Sequence, residues 1–112
     1  SLENNSSKEM HEAISLGLQY EINVQMDQNL PIDGQMRREQ VRLLSSNGFS
    51  KKNKNKITFL VQARLFYLGY YEHVPSSVFD AETQAAVQAY QQSKGLEATG
   101  KLDEETLMRM LL

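Results

Sequence analysis

The chain contains no cysteine. Disulfide frameworks, thiolate zinc sites and cysteine nucleophiles are therefore excluded, and the redox compartment leaves no mark on the composition. An excess of one charge is missing too: 12 Lys+Arg against 14 Asp+Glu give a net charge of −2, so no general attraction to nucleic acid or to an anionic membrane follows. The apolar runs are far shorter than the roughly 20 residues of a spanning helix, so no membrane span is expected. What remains is an ordinary globular composition, 40% hydrophobic and 23% charged over 112 residues. A single domain of this size buries somewhat under ~70% of its unfolded surface, enough for one core without staples.

Catalytic patterns are equally scarce. His11 and His73 are the two histidines, and neither has a second ligand at metal-binding spacing. Asp80 with Glu82 and the adjacent Glu104-Glu105 read as helix caps and first-turn acids rather than as an acid–base pair, because neighbours along a helix point apart. No phosphate-cradling loop, dinucleotide fingerprint or Gly-x-Ser-x-Gly is present. The chain reads as a non-enzyme with no cofactor and no metal.

Along the chain, the polar residues 1–7 read as a frayed terminus. From Leu16 to Met26 apolar and polar residues alternate strictly, which predicts a half-buried strand over about 16–26. Asn29 to Gly34 breaks the pattern, and a helix is expected over about 36–46, stopped by Asn47-Gly48. The run at 50–56 holds four lysines. Without interleaved arginine or aromatics it reads as a solvated linker rather than an anion-binding patch. Beyond it, Ile57, Leu60, Val61, Arg64, Leu65 and Leu68 fall on one helix face that Gly69 ends. Asp80 starts a second helix that closes at Lys94-Gly95, and Asp103 caps a third, Glu104 to Leu112. A weak internal repeat is also visible. Asn29–Met36 lies 66 positions before Gly95–Leu102, and the match continues as Val41 with Leu107 and Leu44 with Met110. The alternating segment upstream argues against a second copy, since the corresponding stretch, Thr83 to Gln92, is helical by pattern.

The stretches Val61–Tyr71, Val78–Gln92 and Gly95–Leu107, in that order and spacing, resemble the peptidoglycan-binding-like domain family, a three-helix module often attached to bacterial cell-wall enzymes. The resemblance covers 57–112, which gives a mostly α fold. A C-terminal three-helix bundle is preceded by an N-terminal extension, 1–56, containing the strand, the helix and the Lys-rich linker. One departure is clear: where the family commonly carries Asp-Gly before the aromatic residue preceding the second helix, this chain has Ser76-Ser77. A backbone needing positive φ loses its easiest solution there.

The resemblance implies a non-catalytic module that targets its parent protein to peptidoglycan in the periplasm or cell envelope. Since the chain opens on Ser1 rather than Met, any signal sequence is expected to lie outside it. A glycan with peptide stems would be met by amides, hydroxyls and aromatic faces. The candidates are Tyr71, Ser76, Ser77, Phe79, Gln84, Gln88 and Gln91. Tyr71 is expected to be the exposed ring of the Tyr70-Tyr71 pair, and binding is expected to depend little on salt. The alternative is a scaffold domain packing on the parent protein or on a partner protein.

Overall fold

The computed structural model describes residues 2–47, 49, 51 and 53–112, with side chains from residue 7 onward. Five helices follow one another: α1 (Leu2–Met26), α2 (Arg38–Asn47), α3 (Lys56–Leu68), α4 (Ala81–Ser93) and α5 (Glu104–Leu111). Their starts are set by side chains that satisfy otherwise free amides. Asn55 accepts from the Ile57 amide, Asp80 from Thr83 and Asp103 from Thr106, each contact stabilising its helix by about 1 kcal/mol. Gly69, in the left-handed region at φ 92°, ends α3 as its spacing predicts.

The strand expected at 16–26 is instead part of α1, which also takes in most of the polar residues read as a frayed terminus. The physical reason is that strict alternation on a helix resolves into two opposite stripes of i, i+4 neighbours. Leu18 and Ile22 continue a buried stripe from Ile14, whereas Leu16, Tyr20 and Val24 form an exposed one. Among the described residues there is no strand. Period two therefore marked a helix that is apolar on both sides.

α1 packs along α3, α2 along α5, and α3 against α4. At Gly17 an added Cβ would lie only 3.0 Å from Leu60 Cδ2, so the missing side chain lets α1 and α3 approach. Ile14, Leu18, Ile22, Val41 and Leu44 join Ile57, Val61, Leu65, Val87, Tyr90, Leu107 and Met110 in one continuous core. Each fully buried aliphatic contributes about 1.5–3 kcal/mol. Residues before 57 thus form one wall of the core that the C-terminal helices share. The last carbonyls of α5, which have no partner within the helix, are also met from outside. Arg64 Nε donates to the Met110 carbonyl (2.7 Å), and His11 Nε2 to that of Leu111 (2.9 Å).

Candidate ligand-binding site

Three buried glutamines organise the loops. Gln62 in α3 accepts the Ser77 amide at Oε1 (3.0 Å) and donates from Nε2 to the Val78 carbonyl (2.9 Å) and to Thr83 Oγ1 (2.8 Å). Gln91 in α4 treats the next loop identically. It accepts the Gly100 amide (2.9 Å) and donates to the Lys101 carbonyl (3.0 Å) and Thr106 Oγ1 (3.0 Å). Gln19 in α1 accepts the Gly34 amide (2.9 Å) and donates to the Gln35 carbonyl (3.1 Å) and Gln40 Oε1 (3.3 Å). In each loop one held amide belongs to a residue of positive φ, Gly34 at 79°, Ser77 at 68° and Gly100 at 74°, and Gln19 also accepts the Asp33 amide (3.0 Å). A primary amide suits this task because it offers two donors and an acceptor from one uncharged group. Satisfied on both sides, it fixes the loop at little desolvation cost.

Ser77 therefore keeps the geometry that glycine gives the other two loops. Ser76 Oγ supports it by donating to Asp80 Oδ2 (3.1 Å) and accepting from Gln62 Nε2 (3.2 Å). Burial alone would raise the Asp80 pKa. The Thr83 hydroxyl and amide, with the Ser76 hydroxyl, stabilise the charged carboxylate and hold it below the ordinary value.

A cleft of about 220 Å³ opens between the start of α4, the third loop and the segment leading to α3. Phe79 and Leu102, each two residues past a positive-φ position, both line it with Phe49, whose ring centroid is 6.2 Å from that of Phe79. Gly100 is a necessary glycine: a Cβ there would come within 2.7 Å of Gln84 Cγ, and its φ is strained for any side chain. Among the described residues, Gln84, Lys51 and Lys101 complete the lining, both lysines being exposed. Chemically this is an apolar floor rimmed by an amide and two cations.

The sequence candidates divide. Phe79 and Gln84 line the cleft, and Gln88 stands beside Gly100, its Cγ 3.2 Å from where a Cβ would be. Ser76 and Ser77 build the second loop. Gln91 has 0% exposure and spends its amide on bracing. Tyr71 is 3% exposed, which overturns its assignment as the open ring. Its amide turns back onto the Leu65 carbonyl (3.3 Å) just after the left-handed Gly69, directing the ring inward. Tyr70 is the half-buried member of the pair, its hydroxyl 2.7 Å from Ser93 Oγ.

Sequence reasoning missed Phe49, Lys51, Gly100, Lys101 and Leu102. The available signal was the turn repeat at Gly100. Nothing in the sequence distinguished Lys51 from the other lysines of its run. Of that run, residues 50 and 52 lie outside the described residues. A second hollow, about 320 Å³, lies elsewhere between α1, α3 and the Val74-Pro75 turn, lined by Met10, Phe59, Ala63, Phe66, Tyr67, Val74 and Pro75. None of these lining residues is charged. Among the described residues no cluster of His, Asp and Glu could hold a metal, and no helix is long and apolar enough to cross a membrane.

The family model for a peptidoglycan binding domain matches residues 54–110, just over half of the chain, and spans α3, α4, α5 and both of their loops. No curated protein and no solved structure matches the chain significantly.

Proposed function

Since the chain belongs to the peptidoglycan binding domain family, we propose that it is a non-catalytic module holding its parent protein on the bacterial cell wall, in the periplasm or envelope. The observation that carries this reading is the cleft, where Phe79 and Leu102 form an apolar floor beside the Gln84 amide and the Gly100 backbone. None of the bonds that brace the loops uses the Gln84 amide, so it is available to a ligand. Polar groups converging on an apolar floor can orient a wall fragment rich in amides and hydroxyls. Ser76, Ser77 and Gln88 act by shaping the loop and the helix face around the cleft. Gln91 acts by fixing Gly100.

Co-sedimentation with purified, insoluble peptidoglycan tests this. The intact chain is expected to pellet with the polymer, and a Gln84→Ala, Gln88→Ala variant to be retained several-fold less. An intact chain that stays in the supernatant overturns the reading.

A second reading, a scaffold role toward another protein or a domain of the parent, is favoured by the open apolar hollow. Phe66 and Tyr67 there are 46% and 49% exposed, and Val74 is 87% exposed. Light scattering of the chain alone shows whether this surface self-associates. A Phe66→Ser, Tyr67→Ser variant that loses a partner while keeping wall retention would separate the two roles.

A further inference from the structure

We propose that the cleft takes the carboxylate end of a peptide stem rather than the glycan strand. This rests on the reading that the chain binds peptidoglycan, and names the part of the polymer that this site holds.

Size is the first argument. At about 220 Å³ the cleft is smaller than the roughly 300–1,000 Å³ of pockets that enclose a whole drug-sized ligand. A chain end or a small side chain would fill it, whereas a disaccharide would have to extend beyond it. Charge is the second. The chain as a whole carries −2, yet among the described residues the charged ones lining the cleft are both cations, Lys51 and Lys101, with no acid beside them. Asp80 and Asp103, which flank the cleft residues in sequence, keep their charge but aim their carboxylates at the first free amides of α4 and α5, where the positive helix ends partly offset them. The local field therefore favours an anion over a neutral sugar. Chemistry is the third. The glycan backbone offers hydroxyls and acetamides, whereas a stem ends in a free carboxylate next to a small apolar side chain. Phe79 and Leu102 suit the side chain, and the lysines together with the Gln84 amide suit the carboxylate.

The experiment loads the intact chain on insoluble peptidoglycan and challenges it with three soluble competitors: a stem pentapeptide with a free C-terminal carboxylate, the same peptide amidated, and peptide-free glycan oligosaccharide. Release by the free acid alone is expected. Lys51→Gln and Lys101→Gln should each weaken retention by roughly two- to fivefold, the scale of an exposed charge pair. Retention should also fall as salt is raised, in contrast to the weak salt dependence expected from the sequence. If the amidated peptide or the glycan releases the chain equally well, or the double lysine variant is retained as tightly as the intact chain, the assignment is overturned while wall binding stands. If the intact chain is not retained at all, the wall reading fails and this assignment fails with it.

Discussion

The pair α1 and α2 and the pair α3 and α4 are the same device built twice. Gln19, Gly34 and Gln40 stand where Gln62, Ser77 and Thr83 stand 43 positions later, and the buried Ile14, Leu18 and Ile22 stand where Ile57, Val61 and Leu65 do. The supports nevertheless differ. In the first pair the acid sits in the loop, where Asp33 meets Arg37 at 2.6 Å, and Gln40 at the third helical position accepts the Arg37 amide (3.1 Å), the return half of a capping box. In the second pair the acid has moved to the cap as Asp80, and the loop holds Ser76. Surroundings differ further. The Gly34 loop borders a hollow with Lys8, His11 and Glu12, of mixed charge, whereas the Ser77 loop leads into Phe79 on the floor of the cationic cleft. The braced loop is thus scaffold. What it displays depends on the side chains that neighbouring segments bring to it.

The largest effect is expected where the two pairs meet. Leu18 and Val61 are equivalent and both have 0% exposure. Leu18→Ala should destabilise by about 3 kcal/mol and Val61→Ala by about 2 kcal/mol, through lost transfer energy and the cavity left behind. Because the core is continuous, urea unfolding of the Leu18→Ala protein should remain one transition, with α4 amide signals moving together with those of α1. An α4 that keeps its wild-type midpoint would divide the chain into separate folding units and break the equivalence.

The braces come next. Gln62→Leu removes two donors and an acceptor from buried partners, and should cost about 2–3 kcal/mol in urea or thermal denaturation. Gln19→Leu should cost about as much, since its bonds are the same in kind. A Gln19 variant as stable as wild type would reduce the resemblance of the two pairs to shape alone. Gln91→Leu carries an additional consequence. By freeing Gly100 it should lower retention on insoluble peptidoglycan at temperatures where the protein is still folded.

How much of this was legible beforehand follows from the range of the interactions involved. α3, α4 and α5 were readable because Gly69, Asp80 and Asp103 are local signals whose effect is felt within one turn, whereas the Asn55 cap went unread inside the lysine run. α1 was not, because Leu16, Tyr20 and Val24 stay exposed, and two apolar stripes on one helix write the same alternation as a strand. The glutamine braces were invisible for a different reason. Gln62 and Gln91 bond across 14 to 21 and 8 to 15 residues respectively, so a pattern read along the helix sees them only as polar positions. Gln91 could then pass for a surface residue. The turn repeat was visible at a spacing of 66, but its match at 43 was hidden because serine replaces glycine at Ser77.

That replacement allows a finer test. Ser77 holds a φ of 68°, which costs an L-residue roughly 1–2 kcal/mol, partly offset because glycine would lose more chain entropy on folding. Ser77→Gly should therefore stabilise by about 0.5–1 kcal/mol, and Gly34→Ser should destabilise by a similar amount. Paired thermal melts check both signs. A Ser77→Gly protein that melts lower would mean that the serine side chain stabilises its loop in a way the first pair does not share.

The smallest effect separates the supports themselves, and acid is its probe. The Asp33 carboxyl is held well below the ordinary carboxylate range, first by the Arg37 guanidinium, then by the Gln35 amide and the Gln19 side chain. A folded-state pKa depressed in this way contributes stability that is fully present above the unfolded value, about 3.9, and is lost as pH falls from there toward the folded value. Asp80 is lowered in the same sense by Thr83 and Ser76, so both pairs should weaken in acid. Because Asp33 and Arg37 are solvent-exposed and screened, Asp33→Asn should flatten the fall in urea midpoint between pH 4 and pH 2 only slightly, and Arg37→Gln should reproduce part of that change. Added salt should shrink the Asp33 contribution more than that of Asp80, whose partners are uncharged hydroxyl and amide donors. Equal salt sensitivity at the two carboxylates would show that moving the acid from loop to cap left its physics unchanged.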